Sequence, residues 1–124
     1  MQPEKNRRYL ERITIDGAKI TYRMDRVGRY SGPVPLSDLT WSSLRFEADP
    51  SLQTGEIIEL QIFIPGEDKI RVRGHLIWTS RSDETGRNFA VVQLLPFGPG
   101  REYNSMNTRD TLKRIINQFK AGSA

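Results

Sequence analysis

The chain has 124 residues, with 19 Lys and Arg against 15 Asp and Glu for a net charge of +4, one His and no Cys. A length of this order fits one small domain, and the lack of cysteine removes disulfides, thiol nucleophiles and thiolate metal sites. His75 alone cannot supply a metal site's imidazoles, and no apolar run reaches the roughly 18 residues of a membrane span or forms a secretory signal, so a cytoplasmic protein without metal or other cofactor is expected.

Fourteen of the nineteen cations are Arg. A guanidinium fork grips phosphate or a guanine edge with two hydrogen bonds and also stacks on planar rings, so the bias suits an anionic, planar partner. Three of these residues, Arg7, Arg8 and Arg12, fall with Tyr9 in a segment with little helical or strand drive, where they can converge on one ligand. Short candidate strands follow at 19–24, 33–39 and 43–48, separated by Gly17, the Gly28 to Gly32 loop and Asp49-Pro50-Ser51. Between the second and third, Asp38, Thr40, Trp41, Ser42 and Ser43 crowd a carboxylate and several hydroxyls into a strand-to-strand corner. Tyr30 and the cluster from Arg26 to Arg29 are expected to be solvated.

Ile58, Leu60, Ile62 and Ile64 then alternate with Glu59, Gln61 and Phe63, which predicts a strand with one buried face. Pro65-Gly66-Glu67-Asp68 supplies a turn, and alternation resumes at Ile70, Val72, Gly74, Leu76 and Trp78, completing an antiparallel hairpin. Trp78 is in phase with the core and His75 is on the opposite face. Residues 88–95 read as a strand that is apolar on both faces and stops at Pro96. From Thr108, the spacing of Leu112, Ile115, Ile116 and Phe119 predicts an amphipathic helix capped by Asn107 or Thr108, with Gly122 past its end. The whole is expected to be mainly β: a six- or seven-stranded antiparallel barrel over 13–97, preceded by an arm over 1–12 and followed by a linker and one C-terminal α-helix over 98–124, all in one domain.

Nothing in the chain argues for catalysis. No Gly-x-Ser-x-Gly turn accompanies His75, and Gly98-Pro99-Gly100 lacks the spacing and the Lys-Ser/Thr ending of a phosphate loop. The Arg8-x-x-x-Arg12 pair followed by Asp38-x-Thr40-x-x-Ser43 instead resembles the two signatures of the PilZ domain family, Arg-x-x-x-Arg and Asp/Asn-x-Ser-x-x-Gly, with Thr40 in the place of Ser and Ser43 in the place of Gly. The resemblance covers nearly the whole chain. It implies a small barrel with a terminal helix that binds the bacterial second messenger cyclic di-GMP through Arg7, Arg8, Arg12, Asp38, Thr40 and Ser43. In the family, an Arg directly before the first signature, as Arg7 is here, goes with binding of a stacked ligand pair.

The chemistry fits that ligand. Arginines can take its phosphates or the guanine O6 and N7 acceptors, Asp38 can accept the guanine amino and imino hydrogens, and Tyr9 or Trp41 can stack on a base. A receptor of this kind signals to a downstream protein, which the sequence does not identify. Two alternatives stay open: a protein-interaction module of the same fold that binds no nucleotide, motivated by Ser43 and the helix, and a small barrel that binds single-stranded nucleic acid, motivated by basic charge and aromatics. The cations concentrate before the first strand, which argues against the second of these.

Overall fold

Alternating apolar residues build six strands in the computed structural model, which describes residues 12–24, 28–48, 52–81 and 88–123. These are β1 (Lys19–Met24), β2 (Ser31–Leu39), β3 (Ser43–Glu47), β4 (Ile57–Phe63), β5 (Ile70–Arg81) and β6 (Asn88–Leu94). They close into a barrel in the order β1-β2-β3-β6-β5-β4, with every neighbouring pair antiparallel. Closure gives each strand a partner on both sides, which removes the exposed edge that an open sheet would present.

Period-two alternation sends one row of side chains from each strand inward. Ile20 and Tyr22 of β1, Leu44 and Phe46 of β3, Ile58, Leu60 and Ile62 of β4, and Val72 and Leu76 of β5 are buried. The Tyr22 and Phe46 rings meet at 5.1 Å between centroids. Gly74 takes the inward position between Val72 and Leu76 because β6 passes too close for anything larger: a Cβ there would stand 2.5 Å from the Gln93 carbonyl oxygen. On β6 the outward Val91 is buried along with the inward Ala90 and Val92, while Phe89 is half-buried and Gln93 exposed, so only the middle of the outer face is covered.

Two strands differ from their sequence reading. Between Leu76 and Trp78 the register against β6 shifts, a bulge that interrupts strict alternation and leaves Ile77 exposed. The strand then continues to Arg81; the Trp78 side chain lies outside the described residues. β2 begins at Ser31, inside the segment read as loop.

A single helix, α1 (Met106–Ser123), follows the barrel. Leu112, Ile115 and Ile116 are buried and join the core made by the strands, with Phe119 packed partly against it. The helix starts two residues before the expected Thr108 because Ser105 is its cap: the Ser105 hydroxyl oxygen accepts the Thr108 amide at 3.0 Å. At the other end it runs through Gly122 rather than stopping before it.

Arg114 of α1 grips Glu67 in the β4–β5 turn with Nη2 to Oε1 at 2.7 Å and Nη1 to Oε2 at 3.3 Å. The hydrogen bond from Arg114 holds the Glu67 carboxyl below its ordinary pKa, partly opposed by desolvation. A lowered folded-state pKa means that the stabilisation exists above the ordinary glutamate range and is lost as pH falls through the depressed value. Glu67→Gln should therefore melt below the native protein at neutral pH, with the difference closing in acid. An equal difference at both pH values would show that the pair contributes nothing.

Candidate functional site

β2 and β3 meet at a corner formed by Thr40, Trp41 and Ser42. Thr40 is buried, and its Oγ1 accepts the amides of Ser42 at 3.1 Å and Ser43 at 2.9 Å while lying 3.0 Å from Ser43 Oγ. A short β-hydroxyl reaches the amides two and three residues on, which is why Thr suits such a turn. The Thr40 amide closes the turn on the Ser43 carbonyl at 2.8 Å, and the Ser42 carbonyl accepts the Leu94 amide at 2.8 Å, tying the corner to β6. The Thr40 hydroxyl oxygen therefore serves as the acceptor that holds the turn together. Ser43, where the resembling signature has Gly, is the first residue of β3 and pairs with Gln93. Its Cβ fits in extended backbone there.

Asp38 precedes the corner on β2, directly across from Arg45 on β3. Arg45 Nη2 lies 2.9 Å from Asp38 Oδ2, with the Asp38 side chain only 12% exposed. The Arg45 guanidinium also stands 5.7 Å from the centroid of the Phe89 ring. A carboxylate has lone pairs for several donors, so one guanidinium does not exhaust it. Sequence reasoning missed Arg45, although counting outward from the turn, with Leu39 opposite Leu44, sets 38 opposite 45.

The chain enters the barrel at this same corner. Ile13 and Leu39 exchange both backbone hydrogen bonds, each at 2.9 Å. Extending that antiparallel register places Arg12 across from Thr40 and Thr14 across from Asp38. Arg12 is exposed; Arg7, Arg8 and Tyr9 lie outside the described residues. Trp41 is 42% exposed, and Lys113 Nζ of α1 approaches its ring centroid to 5.7 Å.

Of the loop between β1 and β2, Arg29 is exposed as expected and Arg26 lies outside the described residues, but Tyr30 is held rather than solvated. Its ring carries the Arg23 guanidinium at 4.4 Å, and its hydroxyl donates to Glu59 at 2.9 Å. Desolvation, then the bond to Glu59, raises the Tyr30 pKa. His75 is exposed on the outer face of β5, and the described residues contain no acidic, His or Cys group that could hold a metal ion.

No family model and no curated protein matches the sequence. Among solved structures, the chain resembles YcgR from Escherichia coli in complex with cyclic di-GMP, with a TM-score of 0.70 at 16% identity over 92% of this chain and 46% of that one. It also resembles the isolated YcgR PilZ domain with cyclic di-GMP, with a TM-score of 0.67 at 16% identity over 92% of both chains. The fold is that of the PilZ domain. The inhibitor of motility MotI/DgrA from Bacillus subtilis is a third neighbour, with a TM-score of 0.62 at 10% identity over 87% of this chain and 50% of that one. This PilZ-fold chain therefore spans about half the length of YcgR and MotI and nearly all of the isolated YcgR domain. The expected antiparallel barrel of six or seven strands with a C-terminal helix is the fold observed, with six strands, and no helix among the described residues is long and apolar enough to cross a membrane.

Proposed function

We propose that the chain is a non-enzymatic receptor for cyclic di-GMP whose Arg-rich arm closes over the β2–β3 corner. The observation that carries this reading is the Ile13–Leu39 pairing, which anchors the root of the arm beside Asp38. From that anchor, Arg12, Arg8 and Arg7 supply guanidinium groups for phosphates and guanine O6/N7 edges, and Asp38 accepts guanine hydrogens beside Arg45. Thr40 fixes the turn, Ser43 offers a hydroxyl, and exposed Trp41, with Tyr9, gives a base a surface to stack on. That two solved PilZ-fold neighbours hold cyclic di-GMP supports the choice of ligand.

Ordering the arm costs about 1–2 kcal/mol per residue fixed, and charge-assisted hydrogen bonds of about 1.5–3 kcal/mol each offset it, so several arginines must act together. The closed arm presents a new surface to a downstream protein. Calorimetric titration with cyclic di-GMP tests the proposal. The native chain should bind, and Arg12→Ala should weaken binding about tenfold or more, the value of one lost charge-assisted bond. A native protein that gives no heat would sink it and favour the second reading, an interaction module that takes no nucleotide. That reading is favoured by Ser43 in the glycine position and by Asp38 being already paired with Arg45.

A further inference from the structure

Across β6 from the β2–β3 corner, the loop 98–104 is clamped to β5 mainly by one side chain. Asn104 is buried at 5% exposure, and its amide group accepts from the Arg73 amide at 2.9 Å while donating to the carbonyls of Arg73 at 2.9 Å and Leu95 at 3.0 Å. Arg73 in turn donates from Nη2 to the Arg101 carbonyl. The clamped loop stands over the start of α1 and leaves two grooves side by side that share Tyr103 and Ser105.

The first groove, of about 400 Å³, is lined by Arg71, Arg73 and Arg101, with Glu59 its one carboxylate. Both Glu59 oxygens already accept bonds, from Arg23 and from Tyr30, so the arginines dominate the field there. The second, of about 420 Å³, is lined mainly by Gly98, Pro99, Gly100, Tyr103 and Met106 and is the more apolar. Tyr103 and Met106 are 39% and 40% exposed. Arg, Tyr and Met are the residues enriched where proteins bind one another, and Tyr and Arg carry much of the energy at such contacts. In the barrel order β6 stands between β3 and β5, so these grooves lie across β6 from the β2–β3 corner.

We propose that the double groove docks an acidic segment of a partner protein, its carboxylates on Arg71 and Arg101 and an apolar side chain against Tyr103 and Met106. Charge complementarity selects an acidic occupant. The apolar trough beside the arginines selects a polypeptide over a free anion, which would leave that trough empty. The inference stands on this face alone and does not depend on the nucleotide reading.

A random peptide library displayed on phage, selected on the full chain, supplies the probe, and enriched peptides are then titrated singly. The expected consensus places Asp or Glu next to an aliphatic or aromatic residue. Its affinity should fall about tenfold or more both in the Arg71→Glu, Arg101→Glu double variant and in Met106→Asp, and should weaken with added salt. Native melting temperatures in those variants, with cyclic di-GMP titrations matching the native chain's, separate loss of docking from loss of fold or of nucleotide binding. Selection of no acidic and apolar consensus, or equal affinity for the variants, would overturn the proposal. So would peptides indifferent to Met106→Asp and fully displaced by inorganic pyrophosphate, because the face would then be a small-anion site.

Discussion

Thr40→Val is expected to destabilise the barrel by about 2 kcal/mol, whereas Thr40→Ser should stay close to the native protein. Valine keeps the shape of threonine and removes the oxygen on which two amides converge, those of Ser42 and Ser43. In this half-buried turn, an amide that loses its acceptor and is shielded from water by the Thr40 side chain costs its desolvation energy rather than the smaller net value of a hydrogen bond. The loss also loosens the Ser42 carbonyl that receives the Leu94 amide, so the effect reaches β6. Urea denaturation of both variants, alongside cyclic di-GMP titration, reads the result. Destabilisation in Thr40→Val with a milder, secondary loss of affinity assigns the hydroxyl to the turn. An unchanged midpoint with binding abolished would instead place that hydroxyl on the ligand.

The same corner shows where sequence reasoning reached and where it stopped. The row of hydroxyls between two strands was visible as a turn beside a carboxylate, but residue type does not say which way a hydroxyl points, and burial of Thr40 turns it inward. Asp38 was legible as a candidate, while its partner Arg45 looked like any polar residue on an outward strand face until the pairing register set them opposite. The hairpin of β4 and β5 was readable because one face is wholly apolar and Pro65-Gly66 punctuates it. The bulge after Leu76 was not, since apolar residues continue through Ile77 and Trp78 and only pairing with β6 reveals the extra residue. At the helix start, Ser105, Asn107 and Thr108 are all competent caps, and the choice among them is made by where the loop leaves β5. That placement comes from Asn104, whose type in a Gly- and Pro-rich stretch suggests an ordinary turn former.

Asn104→Ala is therefore expected to have the largest effect of any single substitution argued here, a loss of about 2–4 kcal/mol. Its amide serves as a substitute strand neighbour for β5 at Arg73. Removing it leaves the Arg73 amide without its 2.9 Å acceptor and the Leu95 carbonyl without its 3.0 Å donor, while the Arg73 carbonyl keeps the Leu95 amide at 2.9 Å. Asn104→Asp should be no better, because a carboxylate preserves the acceptor for Arg73 but turns a second oxygen toward two carbonyls. Denaturant midpoints measure the loss, and faster hydrogen exchange at the Arg73 amide locates it. The variant also separates two roles of the 98–104 loop. Arg71→Glu with Arg101→Glu should weaken peptide docking about tenfold or more at native stability, since both residues are exposed, whereas Asn104→Ala should lower stability and docking together because it releases the loop that forms both grooves. A native midpoint in Asn104→Ala would mean that the loop is held by its other contacts, the backbone bonds of Gly98 to Asn104 and Asn104 to Pro96 and the Arg73 side chain on the Arg101 carbonyl, and that the buried amide is dispensable.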